Sequence, residues 1–186
     1  MDDKRLVKAS KYLSKHLRHQ PERLGLTLEP GGWVRVDDLL AACAAHGFRL
    51  SRAELDEVVA RNDKRRFGFD DAGTRIRANQ GHSLDVDLCL APVRPDGVLF
   101  HGTTAARLDS ILREGLTRQN RHHVHLSADI ETATRVGARR GRPLVLEVAA
   151  PQMVADGFEF FRSENGVWLT TAVPPRYLTP ARGATV

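Results

Sequence analysis

The sequence has little cysteine: Cys43 and Cys89 are the only two among 186 residues. They stand far apart and outside any cluster of ligand-type side chains, which weighs against a disulfide framework or a zinc site. No apolar run approaches the roughly 20 residues needed to cross a bilayer. The segment Met1-Asp2-Asp3-Lys4-Arg5 lacks the apolar stretch of a signal peptide. The expectation is a cytoplasmic protein with no membrane partner. Nucleotide and metal signatures are missing too. No Gly-x-Gly-x-x-Gly follows a strand, and neither a phosphate-loop pattern nor His-Glu-x-x-His occurs. Repeats and low-complexity tracts are absent.

What is present is basic charge. Lysine and arginine number 28 against 23 acidic residues, a formal net charge of +5 with pI near 9.7. Residues 1–23 concentrate it, with seven Lys/Arg against three Asp/Glu, plus His16 and His19. Such a segment can meet phosphate or can form a solvated helix face.

Local pattern divides the chain. Leu6, Ala9, Leu13 and Leu17 recur at helical spacing, predicting an amphipathic helix over residues 4–18 that Pro21 ends. Lys11, Ser14 and Arg18 share another face of it. After a Gly31-Gly32 turn, Trp33–Val36 reads as a strand and Asp37 as the cap of a helix over 38–46, closed by Gly47. Ser51 and Glu54 form a capping box before a helix over 52–61. Residues 66–69 and 74–78 flank Asp70-Asp71-Ala72-Gly73 as a hairpin, with Phe67, Phe69 and Ile76 inward and Arg75 and Arg77 on the opposite face. Three helices and a basic ribbon resemble a winged helix. Ala91–Gly97 has linker composition. Beyond it, strands are expected at 98–101, 123–126 and 144–149, helices at 105–114 and 129–137, and a hairpin of 158–162 with 166–170. The fold class is α+β, in two lobes: residues 1–90, and a mostly β lobe over 91–180. Residues 181–186 read as a disordered tail.

Four strings carry candidate chemistry. The first is Leu99-Phe100-His101-Gly102-Thr103-Thr104. Gly102 would let a ligand approach the backbone, and His101 and Thr103 could bond sugar hydroxyls; a plain strand-to-helix turn capped by Thr103 or Thr104 is the alternative. The others are Arg118–Ser127, Arg77-Ala78-Asn79-Gln80-Gly81-His82-Ser83, and Tyr12–His19. They are rich in arginine and histidine and poor in carboxylate, which suits dense anions, since arginine binds phosphate bidentately and stays charged; each could also be a solvated basic loop. His122, His123 and His125 could bind metal, but no carboxylate or thiol pattern completes a site, so none is expected.

Together the strings resemble the NAD-dependent RNA (tRNA) 2′-phosphotransferase family. The matching segments are Leu-Ser-Lys-His-Leu-Arg-His, Asn-Asp-Lys-Arg-Arg-Phe, Arg-Ala-Asn-Gln-Gly-His-Ser, Phe-His-Gly-Thr, Arg-His-His-Val-His-Leu-Ser and Glu-Asn-Gly-Val-Trp-Leu-Thr. In order, they cover roughly residues 5–178. The resemblance implies an N-terminal winged-helix, RNA-binding lobe and a C-terminal ADP-ribosyltransferase-like, NAD-binding lobe. It implies NAD as a consumed co-substrate and RNA carrying an internal 2′-phosphate, tRNA-like, as the partner; a monomer is expected, on no motif of the sequence. The reaction would pass through an ADP-ribosylated RNA 2′-phosphate and release nicotinamide, 2′-OH RNA and ADP-ribose 1″,2″-cyclic phosphate.

By the same resemblance Arg18, His19, Arg77 and Arg121 form the catalytic group on the phosphates; a proton given by His19 to the departing RNA oxygen is a hypothesis added to it. His101, Gly102 and Thr103 would hold the adenosine-side ribose of NAD, His125 and Ser127 would line the nicotinamide pocket, and Asn79 and His82 would contact NAD or RNA. Val167 would stand where many ADP-ribosyltransferases carry a catalytic glutamate, leaving Glu164 a turn residue. NAD is expected in a cleft between the lobes, so neither half should act alone. Two other readings remain open: an ADP-ribosyltransferase acting on protein or nucleic-acid phosphate ends, and a non-catalytic winged-helix DNA-binding regulator. Glu54, Asp56 and Glu57 on the helix over 52–61 would repel DNA phosphate and weigh against the last.

Overall fold

The structure, a computed structural model, describes residues 1–62, 64–84, 86–119 and 121–181. The chain divides between Cys89 and Leu90 into two compact units, each with its own core, and the whole is of the α+β class.

In the N-terminal unit, helix α1 (Asp3–Arg18) starts where the Asp2 carboxylate accepts from the Arg5 N–H at 2.7 Å. That satisfies one of the amide groups a helix start leaves open. Ala9, Leu13, His16 and Leu17 are its buried stripe. A short 3-10 turn over Pro21–Leu24 follows. Strand β1 (Trp33–Arg35) then runs directly into α2 (Val36–Ala45). The helix therefore begins two residues earlier than the sequence suggests. Arg35 is the cap residue, and Asp37 lies inside the first turn, where its charge faces the positive helix end without capping it. Cys43, fully buried in the core, has its thiol pushed up to about 11 by burial. The α3 helix (Arg52–Ala60) carries the expected capping box, Ser51 and Glu54 each bonding the other's backbone N–H.

Strands β2 (Phe67–Phe69) and β3 (Arg75–Ala78) form the hairpin, and β1 pairs on the far side of β3, giving the antiparallel order β1-β3-β2. Phe67 and Ile76 are buried and Phe69 packs partly against the same core. The turn is organised by Asp70. Its carboxylate accepts from the N–H groups of Arg75 (3.0 Å) and Thr74 (2.8 Å) and from Arg75 Nε (2.9 Å). These bonds, that of the Arg75 N–H foremost, pull the Asp70 carboxyl down to about 2 from its ordinary 3.8. A depressed carboxyl stabilises the fold above its unfolded value and stops doing so as pH falls through its folded one. Asp70→Asn is therefore expected to lower the melting temperature at neutral pH, with the gap to the parent closing as pH falls from about 4 to about 2. A gap that ignores pH over this range would rule out the account of the turn.

In the C-terminal unit the segment read as a linker is tied in. Pro92 bridges to Phe161, and the Val93 N–H donates to the Phe160 carbonyl at 2.8 Å. Strand β4 (Leu99–Thr104) is followed by α4 (Ala105–Glu114), which ends at Gly115 with φ +82°. Next come β5 (Leu116–Thr117), β6 (Val124–Leu126), α5 (Ile130–Gly137), β7 (Pro143–Val148) and α6 (Ala150–Ala155). The chain closes with β8 (Phe161–Arg162), β9 (Trp168–Thr170), β10 (Ala172–Val173) and β11 (Leu178–Pro180). The strands form antiparallel sets in the orders β11-β7-β4, β6-β9-β8 and β10-β5. Ser127 and Phe100 exchange backbone hydrogen bonds of 2.8 and 2.9 Å, which joins the first set to the second.

Helix α5 lies hard against β4. A Cβ on Gly102 would come within 1.8 Å of the Ala133 carbonyl oxygen, and one on Gly137 within 2.7 Å of the Thr103 carbonyl. Residue 181, the first of the expected tail, is tied in: the Ala181 N–H donates to the Val145 carbonyl at 3.0 Å. Residues 182–186 lie outside the described residues. No helix of the described residues is long and apolar enough to cross a membrane.

Candidate functional site

The N-terminal unit gathers its candidate residues around the end of α1. Arg18 is the last residue of that helix and His19 its cap. Arg18 Nη2 donates to the Arg66 carbonyl (3.4 Å), which also accepts from the Asn79 N–H (2.9 Å). Asn79 Nδ2 donates to the Arg65 carbonyl (2.8 Å), at a residue held in the left-handed region (φ +40°). Asn79 thus clamps the 65–66 bend beneath Arg18. Its Oδ1 is buried without a hydrogen-bond partner among the described residues, an acceptor suited to a ligand hydroxyl.

Ser83 is the residue the sequence did not single out for a role. Its N–H donates to the Arg18 carbonyl (3.0 Å), and its hydroxyl lies 2.9 Å from His19 Nδ1. Whether the hydroxyl donates or accepts, it favours one tautomer and one orientation of the imidazole. Ser83→Ala is expected to weaken the preference for that tautomer, read as a change in the ¹⁵N shifts of Nδ1 and Nε2. Ser83→Thr should leave them near the parent's. Unchanged shifts in the alanine variant would remove Ser83 from this role.

Arg77 is set by cross-strand pairing. Trp33 is its register partner on β1, and the Arg77 guanidinium lies over the indole at 4.4 Å from the ring centre. Arg77 Nη1 also donates to the Gly31 carbonyl at 3.3 Å. A ring contact of this kind is worth about 0.5–1 kcal/mol when exposed, and it fixes direction as much as energy. Arg75 lies over the same ring at 5.4 Å, but its charge is taken up by Asp70 (2.9 Å) and Glu29 (3.6 Å). The two arginines share a face as the alternation predicts, and Arg75 is held to the hairpin turn by Asp70. His82, 2% exposed, is packed behind the Gly31-Gly32 turn: a Cβ on Gly32 would lie 3.4 Å from its Nε2. Its imidazole is part of the wall there.

The C-terminal unit places the His-Gly-Thr string inside strand β4, since the strand runs on to Thr104. Thr104 is the cap residue of α4 but makes no side-chain capping bond. Phe100 and Gly102 face α5, while His101 and Thr103, by alternation, face the other side. Gly102 is glycine for the sake of α5, so the room beside its Cα is filled by the helix backbone rather than by a ligand. His101 Nδ1 bonds with the His125 carbonyl (3.1 Å), and His125 Nδ1 with that of His123 (3.0 Å). With the Phe100–Ser127 backbone pair, these contacts bring His101, Thr103, His125 and Ser127 to one edge where β4 meets β6.

Arg121 stands on the exposed bend just before β6, its N–H on the Arg118 carbonyl at 3.0 Å. Asn120 of that string, and Asp63 of the Asn-Asp-Lys-Arg-Arg-Phe string, lie outside the described residues. Val167 exchanges bonds with Ser163 (3.0 and 3.1 Å) across the β8–β9 turn, and Glu164 is an exposed residue of that turn. Among the described residues no group of histidine, cysteine and carboxylate side chains is arranged to hold a metal ion.

In both sets the side chains are cations, imidazoles, hydroxyls and amides. Such a set binds and stabilises anions and sugar hydroxyls. Comparison with known proteins gives it a family. A family model described as RNA 2′-phosphotransferase, Tpt1 / KptA family, matches residues 4–172. A protein of Streptomyces coelicolor is 64% identical over 178 residues, covering 96% of this chain and 97% of its own. One of Streptomyces griseus is 62% identical over 185 residues (96% and 98%), and one of Trichormus variabilis 58% identical over 178 (96% and 98%). Each of the three is described as "Probable RNA 2′-phosphotransferase".

Proposed function

Since the chain belongs to the RNA 2′-phosphotransferase, Tpt1 / KptA family, we propose that it removes an internal 2′-phosphate from RNA by transferring it to NAD. The observation that carries this reading is the extent of the match: it runs through both units and includes every motif residue named above. In this assignment the N-terminal unit is a winged-helix, RNA-binding lobe and the C-terminal unit an ADP-ribosyltransferase-like, NAD-binding one.

The donor set fits NAD on chemical grounds. His101 and Thr103 offer hydroxyl-binding groups along one strand edge, and the unpartnered Asn79 Oδ1 offers an acceptor. His101, Thr103, His125, Ser127 and Asn79 are assigned to NAD, whereas Gly102 serves the packing of α5 on β4. In the chemistry NAD supplies, the RNA 2′-phosphate displaces neutral nicotinamide from the ribose carbon, and the adjacent ribose hydroxyl then takes the phosphorus from RNA, leaving 2′-OH RNA and ADP-ribose 1″,2″-cyclic phosphate.

The nucleophile of the first step is already an anion, so no general base has to create it. An apolar Val167 in place of a catalytic carboxylate is consistent with that. The work left to the protein is to hold phosphates close together and to stabilise the charge at phosphorus, which fixed cations do. Arg18, Arg77 and Arg121 are assigned to it. His19, oriented by Ser83, delivers a proton to the RNA oxygen as the phosphorus–oxygen bond breaks.

The test is to incubate the protein with NAD and an oligoribonucleotide bearing an internal 2′-phosphate. A 2′-OH strand formed only when NAD is present supports the proposal. An ADP-ribosylated strand that persists would favour an ADP-ribosyltransferase, and no consumption of NAD would refute both.

A further inference from the structure

The charges of the N-terminal unit are sorted by face. Several of its arginines are spent on carboxylates: Arg5 on Glu54 (3.2 Å), Arg52 on Asp56 (2.8 Å), Arg61 on Glu57 (2.6 Å) and Asp3 (2.7 Å), Arg75 on Asp70 (2.9 Å). The lysines of α1 are not. Lys4, Lys8, Lys11 and Lys15 are all exposed, and their ammonium groups make no ion pair or hydrogen bond among the described residues.

Their spacing along α1 is four, three and four residues, and Arg18 follows three further on. At about 100° per residue, these five positions fall within an arc of roughly 80° on the side away from Ala9, Leu13 and Leu17. They form one straight cationic ridge, about 21 Å long from Lys4 to Arg18 at 1.5 Å per residue. A solvated helix face usually mixes signs or pairs its charges at i,i+4. This one leaves like charges side by side, which costs the free helix stability unless a polyanion neutralises them.

We infer that the Lys4–Lys8–Lys11–Lys15 ridge is a track for the phosphodiester backbone of the RNA substrate, leading the strand toward Arg18. The inference rests on the proposed phosphotransferase reading for the identity of the RNA, and on the ridge's charge and its continuity with Arg18 for the surface itself. The lysines act as point charges on the backbone and add affinity without base preference. Contacts of this kind favour a strand that extends beyond the modified nucleotide over a minimal dinucleotide.

The experiment uses the full chain with all four lysines replaced by glutamine, which removes charge but keeps helix propensity. A control variant carries Arg107, Arg113, Arg135 and Arg139 replaced by glutamine, the same change in net charge at exposed positions of the other unit. Fluorescence anisotropy measures binding of a single-stranded oligoribonucleotide carrying the 2′-phosphate across a salt series. Phosphotransfer is followed on that oligomer and on the dinucleotide.

The lysine variant is expected to lose roughly tenfold or more in affinity at low salt. Its slope of log affinity against log salt should fall by about 2 to 3, near 0.7 per phosphate contact removed. Its loss in kcat/KM should be greater on the oligomer than on the dinucleotide, and the control variant should show neither effect. Slopes that match the parent's, or equal losses in both variants, would overturn the inference. If the ridge governs RNA binding but no 2′-phosphate is transferred, the track stands and the proposed function fails. If transfer occurs with unchanged salt slopes, the function stands and the track fails.

Discussion

Gly102→Ala will unfold the C-terminal unit or leave it barely folded. The added methyl would sit 1.8 Å from the Ala133 carbonyl oxygen and 2.9 Å from the Gly137 amide nitrogen. Both are backbone atoms of α5, so no side-chain rotation relieves the clash. Either α5 must lift from β4 or the strand must bend. Overpacking that side chains can absorb costs about 1–3 kcal/mol. Here the burden falls on a helix seated against the sheet, and about 4 kcal/mol or more is expected, a large share of the 5–15 kcal/mol of a typical domain. Gly97→Ala is the matched control, since a Cβ there meets nothing within 4 Å. Urea titration should show a large fall in midpoint for the first variant and almost none for the second. A Gly102→Ala protein as stable as the parent would mean that α5 does not pack as described.

That glycine shows where the sequence could and could not be read. His-Gly-Thr was visible as a motif, and a glycine in it suggested room for a ligand. The backbone filling that room comes from α5, and no local pattern announces it. Features set by neighbouring residues were legible: the buried stripe of α1, the Ser51–Glu54 box and the hairpin around Asp70 all follow from short-range period and turn chemistry. Features set by distant pairing were not. Strand β4 extends to Thr104 because β7 pairs along its whole length. Strands β5, β10 and β11 have two or three residues each, too few to show a period.

The site divides the same way. Arg18, His19, Arg77, His101 and His125 stand out by residue type. Trp33 and Ser83, which aim Arg77 and His19, act on residues far along the chain and could be found only in three dimensions.

Arg77→Ala will lower kcat/KM for 2′-phosphate transfer by roughly 10³-fold, the loss seen when a fixed donor to transition-state charge is removed. The fold should survive, because the buried neighbours Ile76 and Ala78 remain. Arg77→Lys should recover little. A lysine supplies charge, but it has neither the planar fork that binds phosphate bidentately nor the flat face that rests on Trp33. The informative comparison is Arg75→Ala, one step along the same face. Because Arg75 is engaged with Asp70 and Glu29, its loss should destabilise the hairpin while leaving turnover within a fewfold of the parent. An Arg77→Ala enzyme within tenfold of the parent, or an Arg75→Ala enzyme as impaired as Arg77→Ala, would undo the division of labour between the two arginines.

The central claim concerns where the phosphate goes, and a radiolabel follows it. With ³²P placed only in the internal 2′-phosphate of an oligoribonucleotide, reaction with the protein and NAD should move the label into ADP-ribose cyclic phosphate, with no label lost when NAD is omitted. Label appearing as inorganic phosphate, with or without NAD, would make the protein a phosphatase and contradict the account.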